Sequence, residues 1–546
     1  MQNAAAVVRA VADSDAVALV ALLQACAIGV RTPAATGIAI LANAPPGEAT
    51  NPMRESLAAA GAVPPLVAML RDGTAEEQAA AAEALWKLAR NTANRKTIAA
   101  AGGIEALVKL TRKGDAAGKS KGAIALWNVA CSDAANKARI TAAGGIAPLV
   151  ALVRDGDAEG KANAAGALRI LARGDDAISA AIRAAGGIAP LVTLVRDGDA
   201  AGKANAAGAL WSLAFSDAAN KAGITAAGGI EALVALVRDG DAAGKANAAV
   251  ALQNLAAADD ANKAAIRAAG GIDALVTLVR DGDAAGKANA AGALRIMAAA
   301  DDANKAAIRA AGGIEALVVL VRNGDADGKA NAAGALWDLA AGDDGITAAI
   351  RDAGGIEALV TLVRDGDAAG RSNAAGALCI LAADDVAKIV AMLDHPDLHV
   401  RLAAVSTLGQ LDAATLDQHA PALVARLADS DENVRRVAVS TLCKLDAVAI
   451  AQHAPAIIIA RLSHSDSDVR WAAVSTLGQL DAATLAQHAP ALVARLQDSD
   501  WSVRAAAVST LGQLDTATLA QHAPALVARL EDSDSDVRWK AVSTLG

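Results

Sequence analysis

The sequence predicts an all-α fold, a right-handed superhelical solenoid of stacked helical repeats, and three observations carry the prediction. The dipeptide Gly-Gly recurs at residues 102, 144, 186, 228, 270, 312 and 354, always 42 residues apart. The string Val-Ser-Thr-Leu recurs from Val405, Val439, Val474, Val508 and Val542, at intervals of 34, 35, 34 and 34. The 546 residues include no Tyr, one Phe, Phe215, and seven Trp, too few large aromatic anchors to fill a single deep core. Alanine-rich helices suit thin layers instead, in which each repeat touches only its neighbours.

Taken in chain order, residues 1–60 read as degenerate N-terminal helices or a cap. Their apolar run, 16–30, contains Gln24 and is short for a membrane span. Its flank carries Arg9, Asp13 and Asp15 rather than the basic start of a signal peptide. Gln2 stands where N-myristoylation requires glycine. Residues 61–383 hold eight units of period 42. In the unit from Gly228, a short amphipathic helix bearing Leu233, Val234, Leu236 and Val237 stops at Asp239-Gly240. A longer helix is expected over 243–257 and a third over 262–268, broken by Gly270-Gly271. Glycine past a helix end adopts the left-handed conformation at little cost.

Three helices in about 42 residues, with the strings GGIEALVALVRDGD and NAAGALW, resemble armadillo repeats of the plant and algal type. Residues 384–546 carry the second period. Each unit there pairs a first helix, such as 517–530, with a second, such as 503–514. Tetratricopeptide units share the period but want tyrosine. The prolines Pro421, Pro455, Pro490 and Pro524, and the arginines Arg401, Arg435, Arg470, Arg504 and Arg538 after valine, resemble HEAT repeats instead. Asp385–Leu393 is expected to serve as the first HEAT helix without a linker, giving one continuous superhelix. The last unit reads as truncated at Gly546.

A helical wheel over 161–172 clusters Ala164, Leu168, Leu171 and Ala172 on one face. Asn163, Gly166 and Ile170 lie opposite, where stacked units would line a groove. An asparagine ladder, Asn163, Asn205, Asn247, Asn289, Asn331 and Asn373, repeats at that face. Its amides either pair with an extended peptide backbone or cap the helix starts. Farther along, variation is confined to two columns. One is Lys87, Asn128, Ile170, Ser212, Asn254, Ile296, Asp338 and Ile380. The other is Trp86, Trp127, Arg169, Trp211, Gln253, Arg295, Trp337 and Cys379. Trp127, Trp211 and Trp337 either set specificity with Asn128 and Asn254 or wedge between adjacent long helices. Importin-α-like adaptors carry groove tryptophans where this chain has Glu83, Ile124, Gly166, Gly208, Val250, Gly292, Gly334 and Gly376. Binding of nuclear localisation signals is therefore not expected.

The net charge of −9 and pI near 5.4 oppose a general nucleic-acid binder, since phosphate binding wants a basic stripe. The unit 271–312 carries five acids and five bases, interspersed. Cys26, Cys131, Cys379 and Cys443 show no metal spacing and read as small fillers of helices in a reducing compartment. His419, His453, His488 and His522 share one slot of successive HEAT units, one repeat apart, and read as repeat consensus. His395 and His399 flank a turn, and His464 reads as solvated. The D-x-x-V-R acids and arginines are expected to pair within and between units, with Asp431 and Arg435, or Asp500 and Arg504, forming a ladder that ties repeats together, at about 0–1 kcal/mol for each exposed pair. No catalytic motif or cofactor is implied. The expectation is a monomeric, cytoplasmic or nuclear scaffold or adaptor, not an enzyme, binding proteins or peptides without membrane insertion. Alternatives are a structural organiser of membrane or cytoskeletal partners, and, by analogy with HEAT-like bilin lyases, an enzyme.

Overall fold

The punctuation of the sequence decides where each helix begins and ends. A computed structural model describes residues 2–25, 29–43, 51–215, 217–381, 386–396, 398–409, 411, 413–442, 444–445, 462 and 466–546. Cys26, Cys443, His453, Pro455 and His464, and the side chains of Cys379 and His399, lie outside the described residues. The described residues contain helices and no strand. Two compact units are resolved, Met1–Leu320 and Val321–Gly546.

In the first unit, each repeat holds a short, a long and a closing helix. The repeat from Gly228 has Gly229–Asp239, Ala242–Ala256 and Asp260–Ala268, within two residues of the sequence reading. Long helices start at an aspartate cap. Asp199 Oδ1 accepts from the Gly202 N–H at 2.7 Å, and Asp157 and Asp241 do the same for Gly160 and Gly244. Closing helices use a second aspartate, Asp133, Asp175, Asp217, Asp259 or Asp301. They end at the first glycine of each pair. Gly186, at φ +73°, lets the Gly187 N–H return to the Ile182 carbonyl at 2.9 Å, closing the helix Asp176–Ala184.

The long helix Ala158–Ala172 packs against Ala116–Ala130 on one side and Ala200–Ala214 on the other, and against its own short helix Ile146–Asp155. It is therefore enclosed on three sides. Ala162 through Leu168 are all buried. A buried leucine such as Leu168 contributes about 1.5–3 kcal/mol through removal from water. The small residues around it let neighbouring helix backbones approach closely.

Among the described residues of 1–60 the helices are Gln2–Ala12, Ala16–Gln24, Arg31–Leu41 and Pro52–Ala59. The apolar run breaks at Gln24. Arg31–Leu41 packs on Ala75–Leu88 as one long helix on the next, so this segment continues the layering. Among the described residues no single helix is long and apolar enough to cross a membrane.

In the second unit, Ala326–Ala340 packs on Ala368–Leu381, which packs directly on Leu398–Leu408. From there Glu432–Leu442, Ser467–Leu477, Trp501–Leu511 and Ser535–Leu545 stack in succession around a leucine- and alanine-rich core. The prolines act in two ways. Pro490 and Pro524 sit inside the helices Ala482–Arg495 and Thr516–Val527. At Pro421 the helix divides into Ala413–Gln418 and Ala420–Ala425, since proline offers no N–H to the preceding turn.

Candidate functional site: the exposed ends of the long helices

Side-chain amides join each long helix to the one before it. Asn205, Asn247, Asn289 and Asn373 donate Nδ2–H to the carbonyls of Ala162, Ala204, Ala246 and Ala330, at 3.0, 2.9, 3.2 and 2.8 Å. Asn163 is buried and donates to Ser120 Oγ at 2.9 Å. None of these asparagines caps its own helix, because the aspartates already do. The outward placement of Asn163 and Gly166 is likewise corrected, because neighbouring long helices cover that arc from both sides. Asn205, Asn247, Asn289 and Asn373 remain partly exposed, and their carbonyl oxygens accept no hydrogen bond among the described residues. Asn331 is also partly exposed and occupies the same ladder.

Tryptophans pack on glycines of the following repeat. A Cβ at Gly166 would come within 2.3 Å of the Trp127 ring, and one at Gly376 within 2.9 Å of Trp337. Trp127 and Trp337 thus pack between adjacent long helices, although Trp337 keeps 37% of its surface exposed. The absent side chain in one repeat is the seat for an indole from the last. Arg169 takes the same path across Gly208 and reaches Trp211, with its guanidinium carbon 5.4 Å from the ring centroid. Lys87 lies over Trp86 at 4.6 Å. In the variable column, Asn128 turns back to the Ile124 carbonyl at 2.9 Å, and Asn254 donates to the Trp211 carbonyl at 3.2 Å. Ser212 folds inward onto the Gly208 carbonyl, while Ile170 and Ile296 are half-buried.

A second ladder, buried in the closing helices, escaped the sequence reading. Asn94, Asn136, Asn220, Asn262 and Asn304 donate to the carbonyls of Leu88, Val129, Leu213, Leu255 and Met297. They satisfy carbonyls at the end of each long helix, which have no intrahelical partner. Ser179 and Thr347 take over in two repeats, reaching Ala172 and Ala340. The next residue along joins repeats. Lys137, Lys221 and Lys263 donate to the Arg173, Ala257 and Ala299 carbonyls at 2.6, 2.6 and 2.8 Å. The recurring Asn-Lys pair after an aspartate was the signal for both.

In the HEAT segment the arginines pair between units, with a carboxylate of the next repeat rather than the one four residues back. Arg401 meets Asp429 through two hydrogen bonds of 2.7 and 2.8 Å, 28 residues ahead. Arg470 grips Asp498 and Arg504 grips Asp532 in the same way. Asp431 and Asp500 are instead helix caps, accepting from Asn433 and Ser502 N–H, so their carboxylates are turned toward their own backbone. Arg435 pairs with Asp466 at 2.6 Å. The three bidentate pairs are buried, not exposed.

His488 and His522 lie half-buried on first helices, and His419 precedes Ala420–Ala425. Among the described residues no three His, Cys, Asp or Glu side chains gather as a metal site would require. Cys131 is a free thiol at a long-helix end.

Comparison with known proteins agrees with this architecture. The model for armadillo/beta-catenin-like repeats matches residues 133–173, 175–215, 218–257, 259–299 and 301–341. The model for HEAT repeats matches 356–443, 420–489 and 454–546. None of the curated proteins matches the chain. Among solved structures, an engineered protein is 33% identical, with 79% of this chain and 98% of that chain covered at a TM-score of 0.63. Two further engineered proteins are 36% and 29% identical and cover 43% and 44% of this chain, and 96% and 98% of their own, each at a TM-score of 0.42. The chain is an armadillo-repeat protein over residues 133–341 that continues as HEAT repeats over residues 356–546.

Proposed function

We propose that the chain is a non-catalytic scaffold or adaptor of the cytoplasm or nucleus, which holds an extended peptide or a partner helix along the exposed ends of its armadillo long helices. Solenoids of these two families generally serve protein–protein interaction. One observation carries the finer reading. The aspartate caps, paired glycines and amide ladders recur nearly unchanged along the array, while variation collects in two columns of the long helices, most of whose described members are half-exposed. Four ladder asparagines support it, since Asn205, Asn247, Asn289 and Asn373 each spend one N–H on the preceding repeat and stay partly exposed, with a carbonyl oxygen that can accept from a ligand backbone.

The test is selection of a random peptide library on the full chain and on an Ile170→Glu, Ile296→Glu variant. These side chains lie in the variable column and take no part in the amide ladder. Peptides selected by the parent chain should bind the variant at least about tenfold more weakly, a loss of about 1.4 kcal/mol, with the melting curve unmoved. Equal binding by both proteins would place the partner surface elsewhere.

A further inference from the structure

Near-identical repeats make their departures informative. The residue that ends each long helix is Cys131, Arg173, Phe215, Ala257, Ala299 or Ala341. Only the adjacent repeats ending at 173 and 215 carry a large side chain there. Four residues earlier on the same two helices stand Arg169 and Trp211. The structure gathers this cluster. Arg169 crosses Gly208, and its guanidinium carbon lies 5.4 Å from the Trp211 ring centroid; that of Arg173 lies 6.0 Å away. Phe215 follows Trp211 by one turn and is 68% exposed.

Two like charges thus share one indole, and neither arginine forms an ion pair with a carboxylate among the described residues. Lys137 donates to the Arg173 carbonyl, and Asp175, which caps the next helix, lies toward Lys137. Burial and the charge of Arg173 both hold the Arg169 guanidinium below its usual range, with no acid opposing them. A bound anion would relieve that repulsion. Guanidinium groups present planar forks suited to carboxylate or phosphate, and a phosphoryl group supplies about −1.5 to −2 charge near neutral pH. One carboxylate balances one arginine; a phosphoryl group balances two.

We propose that Arg169, Arg173, Trp211 and Phe215 form a subsite for a phosphorylated side chain of a bound peptide, with an apolar residue beside it against Phe215. This rests on the long-helix ends being a peptide surface. Two peptide libraries serve as probes, one with a fixed phosphoserine-leucine pair and one with a fixed serine-leucine pair. Inorganic phosphate is the third probe. The parent chain should prefer the phosphorylated library at least about tenfold, the discrimination one charge-assisted hydrogen bond supplies. Raising salt should erode the preference. An Arg169→Gln, Arg173→Gln variant should bind the two libraries equally, and Phe215→Ser should weaken both. Inorganic phosphate should compete only weakly.

Equal binding of the two libraries by the parent chain overturns the subsite. So does an unchanged preference in the arginine variant. Inorganic phosphate binding as tightly as the phosphopeptides would make the cluster a free-anion site and overturn its peptide role. The wider reading has its own outcome: if neutral library peptides bind and respond to the Ile170 and Ile296 changes while phosphorylation has no effect, the surface stands and the subsite falls.

Discussion

Asp498 sits in a place that burial alone would make hostile to a carboxylate. Burial raises its pKa, yet the hydrogen bonds from Arg470 and the Asp500 N–H, with the charges of Arg470 and Arg495, outweigh it and hold the group below the usual range. Asp429 is held down likewise against its burial, and Asp532 chiefly by Arg504. The Arg470 and Arg504 guanidinium groups are correspondingly raised. A depressed carboxyl pKa adds stability that is present above the unfolded value, about 3.9, and is lost as pH falls through the lower folded value. The melting temperature should therefore fall as pH drops below about 4, and an Asp429→Asn, Asp532→Asn variant should lose part of that slope. Asp498→Asn leaves Arg470 without its carboxylate and should cost about 3–5 kcal/mol by chemical denaturation. An Arg470→Met, Asp498→Leu double variant should regain most of it. A small loss for the single change would mean that the pair is solvated. That the arginines tie repeats together was legible in the sequence, but which carboxylate each one meets was not. The local D-x-x-V-R spacing suits a helix pair, but the first carboxylate is taken by its own helix start, and the arginine is long enough to reach the next repeat.

Helix boundaries were legible to within a residue or two in the armadillo unit from Gly228 and to within three in the HEAT helices Trp501–Leu511 and Thr516–Val527, because each is punctuated by chemistry that acts locally. Aspartate caps, paired glycines and apolar spacing need no knowledge of neighbours. What the helices do to one another was less legible. The asparagine ladder looks like a row of groove donors at a constant interval, yet its bonds run 43 residues back, to the helix before. A single-helix wheel carries no information about that second helix. Gly166 shows the same limit. Alanine favours a helix over glycine by about 1 kcal/mol, but here a Cβ would enter the Trp127 ring. Gly166→Ala should lower the melting temperature, and adding Trp127→Ala should restore some of the loss. A Gly166→Ala protein as stable as the parent would mean that the indole swings away freely. The Asn205→Ala, Asn247→Ala, Asn289→Ala variant should lose about 1 kcal/mol per site, the worth of a hydrogen bond whose partner stays behind.

At the scale of the molecule, the repeat-by-repeat pattern of contacts has a direct test. Removing residues 229–270 takes out one full period and brings Gly228 against Gly271, recreating a Gly-Gly junction. The shortened chain should keep the same helicity per residue by circular dichroism and remain folded, because stability in such arrays is nearly a sum of repeat and nearest-neighbour terms. Global unfolding on removal would mean that distant repeats depend on one another. The architecture was legible because periodicity is a property of the whole sequence, whereas any partner is written in only a few side chains that break it. The lysine and asparagine bonds to neighbouring backbones have a mechanical meaning as well. They recur with the same geometry at successive armadillo junctions, so a chain pulled from its ends would load similar fastenings one after another. Drawn slowly in a force spectrometer, the armadillo array should yield one repeat at a time at similar forces, each release paying out on the order of 140 Å of chain, and behave as an extensible tether.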